Sequence, residues 1–153
     1  MADGPKARAA SRSAARLGAV QALYQMDIAQ SDLADVLAEF GSTRMGEMFE
    51  DGECGDADFA FLSSLVRGVL EHQRTIDPDI NDRLANGWKL SRIDSTLRAI
   101  LRAGAFELKF RQDVPARVSI SEYIDIAKAF FDGDEPKVVN GVLDKLAHAF
   151  ERV

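Results

Sequence analysis

LSRIDSTLRAILRAGAFELKF, residues 90–110, is the stretch that decides the fold. At an α-helical repeat of about 3.6 residues, Ile93, Leu97, Ile100, Leu101, Gly104 and Leu108 share one face. Ala99, Ala103, Phe106 and Phe110 form a second apolar face on the other side. Arg98, Arg102 and Lys109 occupy a strip between the two. A helix that is apolar on two sides is packed on two sides. A helix over Ser91–Arg111 is therefore predicted at the centre of the fold, touched by elements before and after it. Ser91 and Asp94 have the spacing of an N-terminal capping box. Gly104 allows a close helix crossing, against the roughly 1 kcal/mol that a mid-helix glycine costs.

Downstream, Asp113-Val114-Pro115 ends this helix, because the residue before proline is disfavoured in the α region. Ser119 and Glu122 suggest a second capping box, opening a helix that buries Ile120, Ile124, Ala127 and Phe131. Gly133 breaks the pattern, Asp134 offers a cap and Pro136 falls in the first turn of a last helix. That helix buries Val139, Val142, Leu143, Leu146 and Phe150.

Upstream, a first helix is predicted from about Arg8 to Ala29. Leu17, Val20, Tyr24 and Ile28 lie within about 60° of one another and should face inward. Arg8, Arg12 and Arg16 fall roughly opposite, as a basic outer stripe or simply a solvated face. A second helix is predicted over Asp32–Phe49, weakened by Gly41 and Gly46, and Asp51–Asp56 reads as a loop. A third helix carries Phe59, Leu62, Leu65, Val66, Val69 and Ile76 on one face and should stop at Asp77-Pro78. A short helical piece at Ile80–Ala85 leads to a loop at Asn86-Gly87. No β alternation is sustained. The expectation is an all-α chain of six to seven helices, with residues 1–7 a flexible tail and 8–153 one domain.

Composition narrows the function. Among 153 residues Cys54 is the single cysteine, so no intramolecular disulfide can form. Apolar runs are too short to cross a bilayer, and residues 1–13 lack the apolar core of a secretory signal, so a cytoplasmic protein without a membrane role is expected. The net charge of −6 is uneven. Residues 27–59 hold ten acids against Arg44 alone, whereas residues 1–26 carry four Lys/Arg against Asp3. An acidic total argues against non-specific nucleic-acid binding by the whole surface, but not against a local basic stripe.

His72 and His148 stand on different helices with no further ligand at metal spacing. Cys54 stands among Asp51, Glu53 and Asp56, a poor setting for a reactive thiolate. Asp132, Asp134 and Glu135 do not complete a calcium loop. Glu107, Glu122 and Asp125 read as helix-surface acids. Phosphate loops and dinucleotide fingerprints are missing. No catalytic residue, metal site or cofactor is expected.

The assembled segments resemble the NusB family of bacterial transcription antitermination factors. Its strongest carriers are ARLGAVQALYQMD at residues 15–27, LSRIDSTLRAILRAGAFEL at 90–108, DVPARVSISEYIDIAKAFF at 113–131 and KVVNGVLDKLA at 137–147. The resemblance implies two packed three-helix subdomains sharing a central helix, and a non-enzymatic adaptor. That adaptor would pair with ribosomal protein NusE, bind boxA RNA, and join other Nus factors on RNA polymerase to suppress termination, notably on ribosomal RNA operons. Homodimerisation is known in the family and stays open here.

By position, the RNA face would include Arg8, Arg12 and Arg16, fewer arginines than many members carry. Tyr24 would stack on a base or sit at the edge of the core. Phe130 would offer an aromatic platform, with Lys137 and Asn140 nearby. Asn140 equally suits helix packing, and Glu122 suits either a base contact or its cap. Val138 stands where some relatives have an aromatic. The NusE surface would be Leu97, Arg98 and Arg102, with Leu97 where some relatives have an acid. A protein–protein scaffold with little RNA affinity of its own is the alternative.

Overall fold

The computed structural model describes the backbone of residues 5–40 and 56–152, and the side chains of residues 9–40 and 59–152. The expected continuation of the second helix to Phe49, the loop from Asp51 and Cys54 lie outside the described residues. Among the described residues the chain forms six helices and no strand: α1 (Pro5–Ala29), α2 (Leu33–Glu39), α3 (Asp56–Asn81), α4 (Ser95–Phe110), α5 (Ala116–Phe130) and α6 (Glu135–Ala149). It divides into two compact units, Met1–Arg67 and Gly68–Val153, with the boundary inside α3. No described helix is long and apolar enough to cross a membrane.

In the first unit α1 packs on α2. The buried side of α1 is Ala15, Arg16, Gly18, Ala19, Val20, Ala22 and Leu23. Of the expected inward face only Val20 is buried: Leu17 and Tyr24 are half-buried and Ile28 is 55% exposed. Side-chain size is the cause. Alanines and a glycine let a neighbouring helix approach closely, so bulky residues from elsewhere fill the space and the larger α1 side chains sit at the rim. Val36, Leu37, Phe40, Phe61, Leu62, Leu65 and Val66 complete this core. Helix α1 ends at Ala29, and Gln30 takes a left-handed φ of 57° with its N–H on the Met26 carbonyl at 3.1 Å.

In the second unit α4 packs on both α5 and α6, which also pack on each other. Its buried set runs from Leu97 through Ala99, Ile100, Leu101 and every residue from Ala103 to Leu108, so the two-sided burial read from the sequence holds. Gly104 is a close-approach point: a Cβ there would lie 2.8 Å from Leu143 Cδ1 and 3.4 Å from Tyr123 Cδ2. Gly68 of α3 is a second, unforeseen one, where a Cβ would lie 2.1 Å from Phe106 Cζ. Val139, Val142, Leu143 and Leu146 of α6 are buried as expected, whereas Phe150 caps that helix half-buried.

Helix ends depart from the sequence reading in four places. Pro78 does not stop α3; the helix runs through it to Asn81 and buries Ile80. Ser91 does not cap α4. Asp94 does, accepting from Thr96 N–H at 2.7 Å and Leu97 N–H at 3.2 Å. Helix α5 begins at Ala116, directly after Pro115, so Ser119 is inside it and no capping box forms with Glu122. Its buried residues are Ala116, Ser119, Tyr123, Ile126 and Ala127; Ile120, Ile124 and Phe131 are half-buried. Asp134 sits at the N-cap of α6, but its side chain makes no capping hydrogen bond.

The displaced Ser119 has another task. Glu107, expected at the surface, is fully buried in α4. Ser119 Oγ donates to its Oε2 at 2.7 Å and Tyr123 OH donates to its Oε1 at 2.9 Å. A buried carboxylate is tolerated only when such donors replace water, so this trio fixes the register of α5 on α4.

Candidate nucleic-acid interface

The sequence-predicted site residues fall in both units. Arg8, Arg12, Arg16 and Tyr24 belong to α1; the side chain of Arg8 lies outside the described residues. Arg12 and Arg16, four residues apart, share a helix face. Their guanidinium carbons stand 4.5 Å and 5.0 Å from the ring centroid of Phe61. Arg16 is 3% exposed. The basic stripe is therefore not an outer face at this position. A planar, weakly hydrated guanidinium stacks on an aromatic ring and buries its stem, which a hydropathy pattern scores as simply polar. Arg12 is half-buried and so closer to solvent, as is Tyr24.

The second group is compact along the chain. Phe130 is the last residue of α5 and is 45% exposed. Its neighbour Phe131 turns to an extended conformation with its N–H on the Ala127 carbonyl at 2.9 Å, which ends the helix. Lys137 and Asn140, both exposed, stand three residues apart on the first turns of α6 and so share a face. Near one another along the chain, an exposed phenyl ring can stack a base, an ammonium can neutralise a phosphate and a carboxamide can read a base edge. Glu122 is half-buried in α5, and Val138 is half-buried in α6.

The strip proposed for a protein partner is already engaged. Leu97 is 1% exposed. Arg98 donates to the carbonyls of Leu90 at 2.9 Å and Ile93 at 3.3 Å, and to Ser95 Oγ at 3.1 Å. Arg102 makes a two-pronged contact with Asp77, both bonds 2.9 Å, and Lys109 reaches Asp79 at 3.1 Å. A partner docking here meets the outer edges of Arg98 and Arg102 and does not meet Leu97.

His72 stacks on Phe110 with centroids 4.1 Å apart. Among the described residues no group of three acids, histidines or cysteines could hold a metal ion.

Exposed aromatic and cationic side chains thus stand at the end of α5 and the start of α6, in the second unit. The NusB family profile matches residues 13–148, and the chain belongs to the NusB family. The transcription antitermination protein NusB of Bartonella henselae is 54% identical over 136 residues, covering 89% of this chain and 86% of that protein. The Brucella ovis protein of the same name is 55% identical over 136 residues, 89% and 80% of the two chains. Among solved structures, T. maritima NusB superposes with a TM-score of 0.74 at 30% identity, covering 90% of each chain. A crystal structure of antitermination factors NusB and NusE in complex with double-stranded RNA gives 0.75 at 27% identity, over 91% of this chain and 97% of that one.

Proposed function

We propose that this chain is a non-enzymatic, cytoplasmic transcription antitermination factor. It pairs with ribosomal protein NusE, the pair binds boxA in nascent RNA, and the complex joins other Nus factors on RNA polymerase, notably on ribosomal RNA operons. Family membership supports this reading, as does a NusB–NusE–RNA complex among the structural relatives. One observation carries the RNA contact: Phe130, 45% exposed, is followed by exposed Lys137 and Asn140 at the start of the next helix. In this reading Phe130 stacks a base, Lys137 takes a phosphate and Asn140 a base edge. Arg12 and Tyr24 add contacts from α1, and Glu122 accepts from a base or the partner. Arg16 holds α1 on Phe61, and Arg8 is a further RNA contact on the family resemblance alone. NusE meets Arg98 and Arg102.

The burial of Arg16 favours one second reading, a protein scaffold with weak RNA affinity of its own. Titrating the chain, alone and with NusE, on boxA and on a scrambled RNA at two salt concentrations separates the two. The adaptor reading expects a boxA preference that is strongest in the pair. Phe130→Ala should weaken it about tenfold, as loss of one base stack does. Equal binding of boxA and scrambled RNA by the pair, or an unaffected Phe130→Ala variant, overturns it.

A further inference from the structure

Trp88, Lys89 and Arg92 have no part in the interface described above. They lie between α3 and α4 in the segment Asn86-Gly87-Trp88-Lys89-Leu90-Ser91-Arg92. The segment is irregular in secondary structure yet firmly anchored. Gly87 adopts a φ of 93°, open to glycine and costly for other residues. Asn81 Oδ1 accepts the Leu90 N–H at 3.0 Å, and Arg98 holds the carbonyls of Leu90 and Ile93. Leu90 is 2% exposed and plugs the segment into the core.

The Lys89 carbonyl accepts from Arg92 N–H at 2.9 Å and from Ile93 N–H at 3.1 Å. These bonds make one helical turn, so Lys89 and Arg92 project on the same side, away from the Leu90 anchor. Both are exposed, and Trp88 beside them is half-exposed. Among the described residues none of these three side chains has a hydrogen bond or an ion pair. Of the charged residues near them in the chain, Asp94 caps α4, Arg83 contacts Asp79, Arg98 holds the turn's carbonyls and Asp82 is exposed.

We propose that this turn is a second contact for single-stranded nucleic acid, with a nucleobase stacked on the Trp88 indole and flanking phosphates held by Lys89 and Arg92. An aromatic face with adjacent cations is the minimal platform that binds a single strand without reading its sequence. A protein partner is less well matched, because an interface core needs a larger apolar patch than one indole among Asn86, Gly87, Ser91 and charged residues. Arg98 pre-organises the turn, so the strand does not have to order it.

Trp88 is the only tryptophan in the chain, so its emission reports directly on this site. The test titrates a fluorescein-labelled single-stranded oligoribonucleotide into the full chain, alone and paired with NusE. RNA anisotropy is read alongside the emission difference between the native chain and Trp88→Leu. Binding should quench Trp88. Trp88→Leu should weaken affinity about tenfold. Lys89→Ala with Arg92→Ala should lower the slope of log affinity against log salt by about 1.4, at about 0.7 per released counterion for two phosphates. Phe130→Ala should weaken affinity while leaving the Trp88 quench at saturation intact, which separates this site from the one on α5 and α6. RNA bound by anisotropy with Trp88 emission unchanged overturns the proposal, and so does a chain that binds no RNA in either state. Loss of NusE binding in the Lys89/Arg92 variant, with RNA binding by the chain unaltered, also overturns it and assigns the surface to a protein.

Discussion

Two pairs of arginines with identical spacing meet different fates. Arg12 and Arg16 on α1 lie over the ring of Phe61. Arg98 and Arg102 on α4 are spent on backbone carbonyls and on the carboxylate of Asp77. Spacing places each pair on one side of its helix, and the neighbours decide the rest. Opposite α1 is an aromatic ring, which takes up the flat face and the stem of a guanidinium. Opposite α4 are oxygen acceptors, which take up its N–H groups. The first pair thus lays its guanidinium faces on an aromatic ring, whereas the second makes a set of directed, charge-assisted hydrogen bonds.

The contrast can be broken or sharpened by substitution. The largest effect should come from Gly68→Ala, which tests whether α4 is held as tightly on its Phe106 side as on its arginine side. The new Cβ would meet three atoms of the Phe106 ring at 2.1–2.7 Å. Overpacking outweighs the gain in helix propensity, and a net loss of about 2 kcal/mol is expected in urea unfolding. An unchanged midpoint would mean that the ring moves aside freely.

Arg102→Ala removes the two-pronged partner of Asp77, whose side chain is 27% exposed. Solvent screening limits the loss to about 1.5 kcal/mol, or a Tm lower by roughly 3–6 °C. Arg102→Met should cost as much, because the stem alone satisfies no carboxylate. Arg16→Ala should cost about 1 kcal/mol, and here Arg16→Met should recover the share that stem packing on Phe61 contributes. Equal behaviour of Met at both positions would erase the distinction. Smallest of all, Arg12→Ala should cost only a few tenths of a kcal/mol in stability, because this residue is half-buried.

The same division explains what was legible in the chain. The two-sided burial of α4, the close crossing at Gly104 and the core of α6 were readable because large apolar residues recur there with little competition. The buried side of α1 was not, since a pattern that weighs Leu17, Tyr24 and Ile28 above Ala15, Ala19 and Ala22 points to the wrong face. Capping was misread wherever several polar residues competed within a turn, as Ser91 and Asp94 did. Glu107 looked like a surface acid because its donors, Ser119 and Tyr123, come from another helix. Of the candidate site, Phe130, Lys137 and Asn140, named by family resemblance, are exposed, whereas Leu97 is buried.

By itself the sequence determined that this protein is helical, roughly where its helices run and which family it joins. Those properties rest on local periodicity and on short motifs that keep their meaning along the chain. Tertiary structure alone decided which side of α1 is inside, that Arg16 is covered, that Glu107 is buried, and that the turn at Trp88 is held fast. Each of these depends on groups distant in sequence, whose desolvation and hydrogen bonding have no local signature.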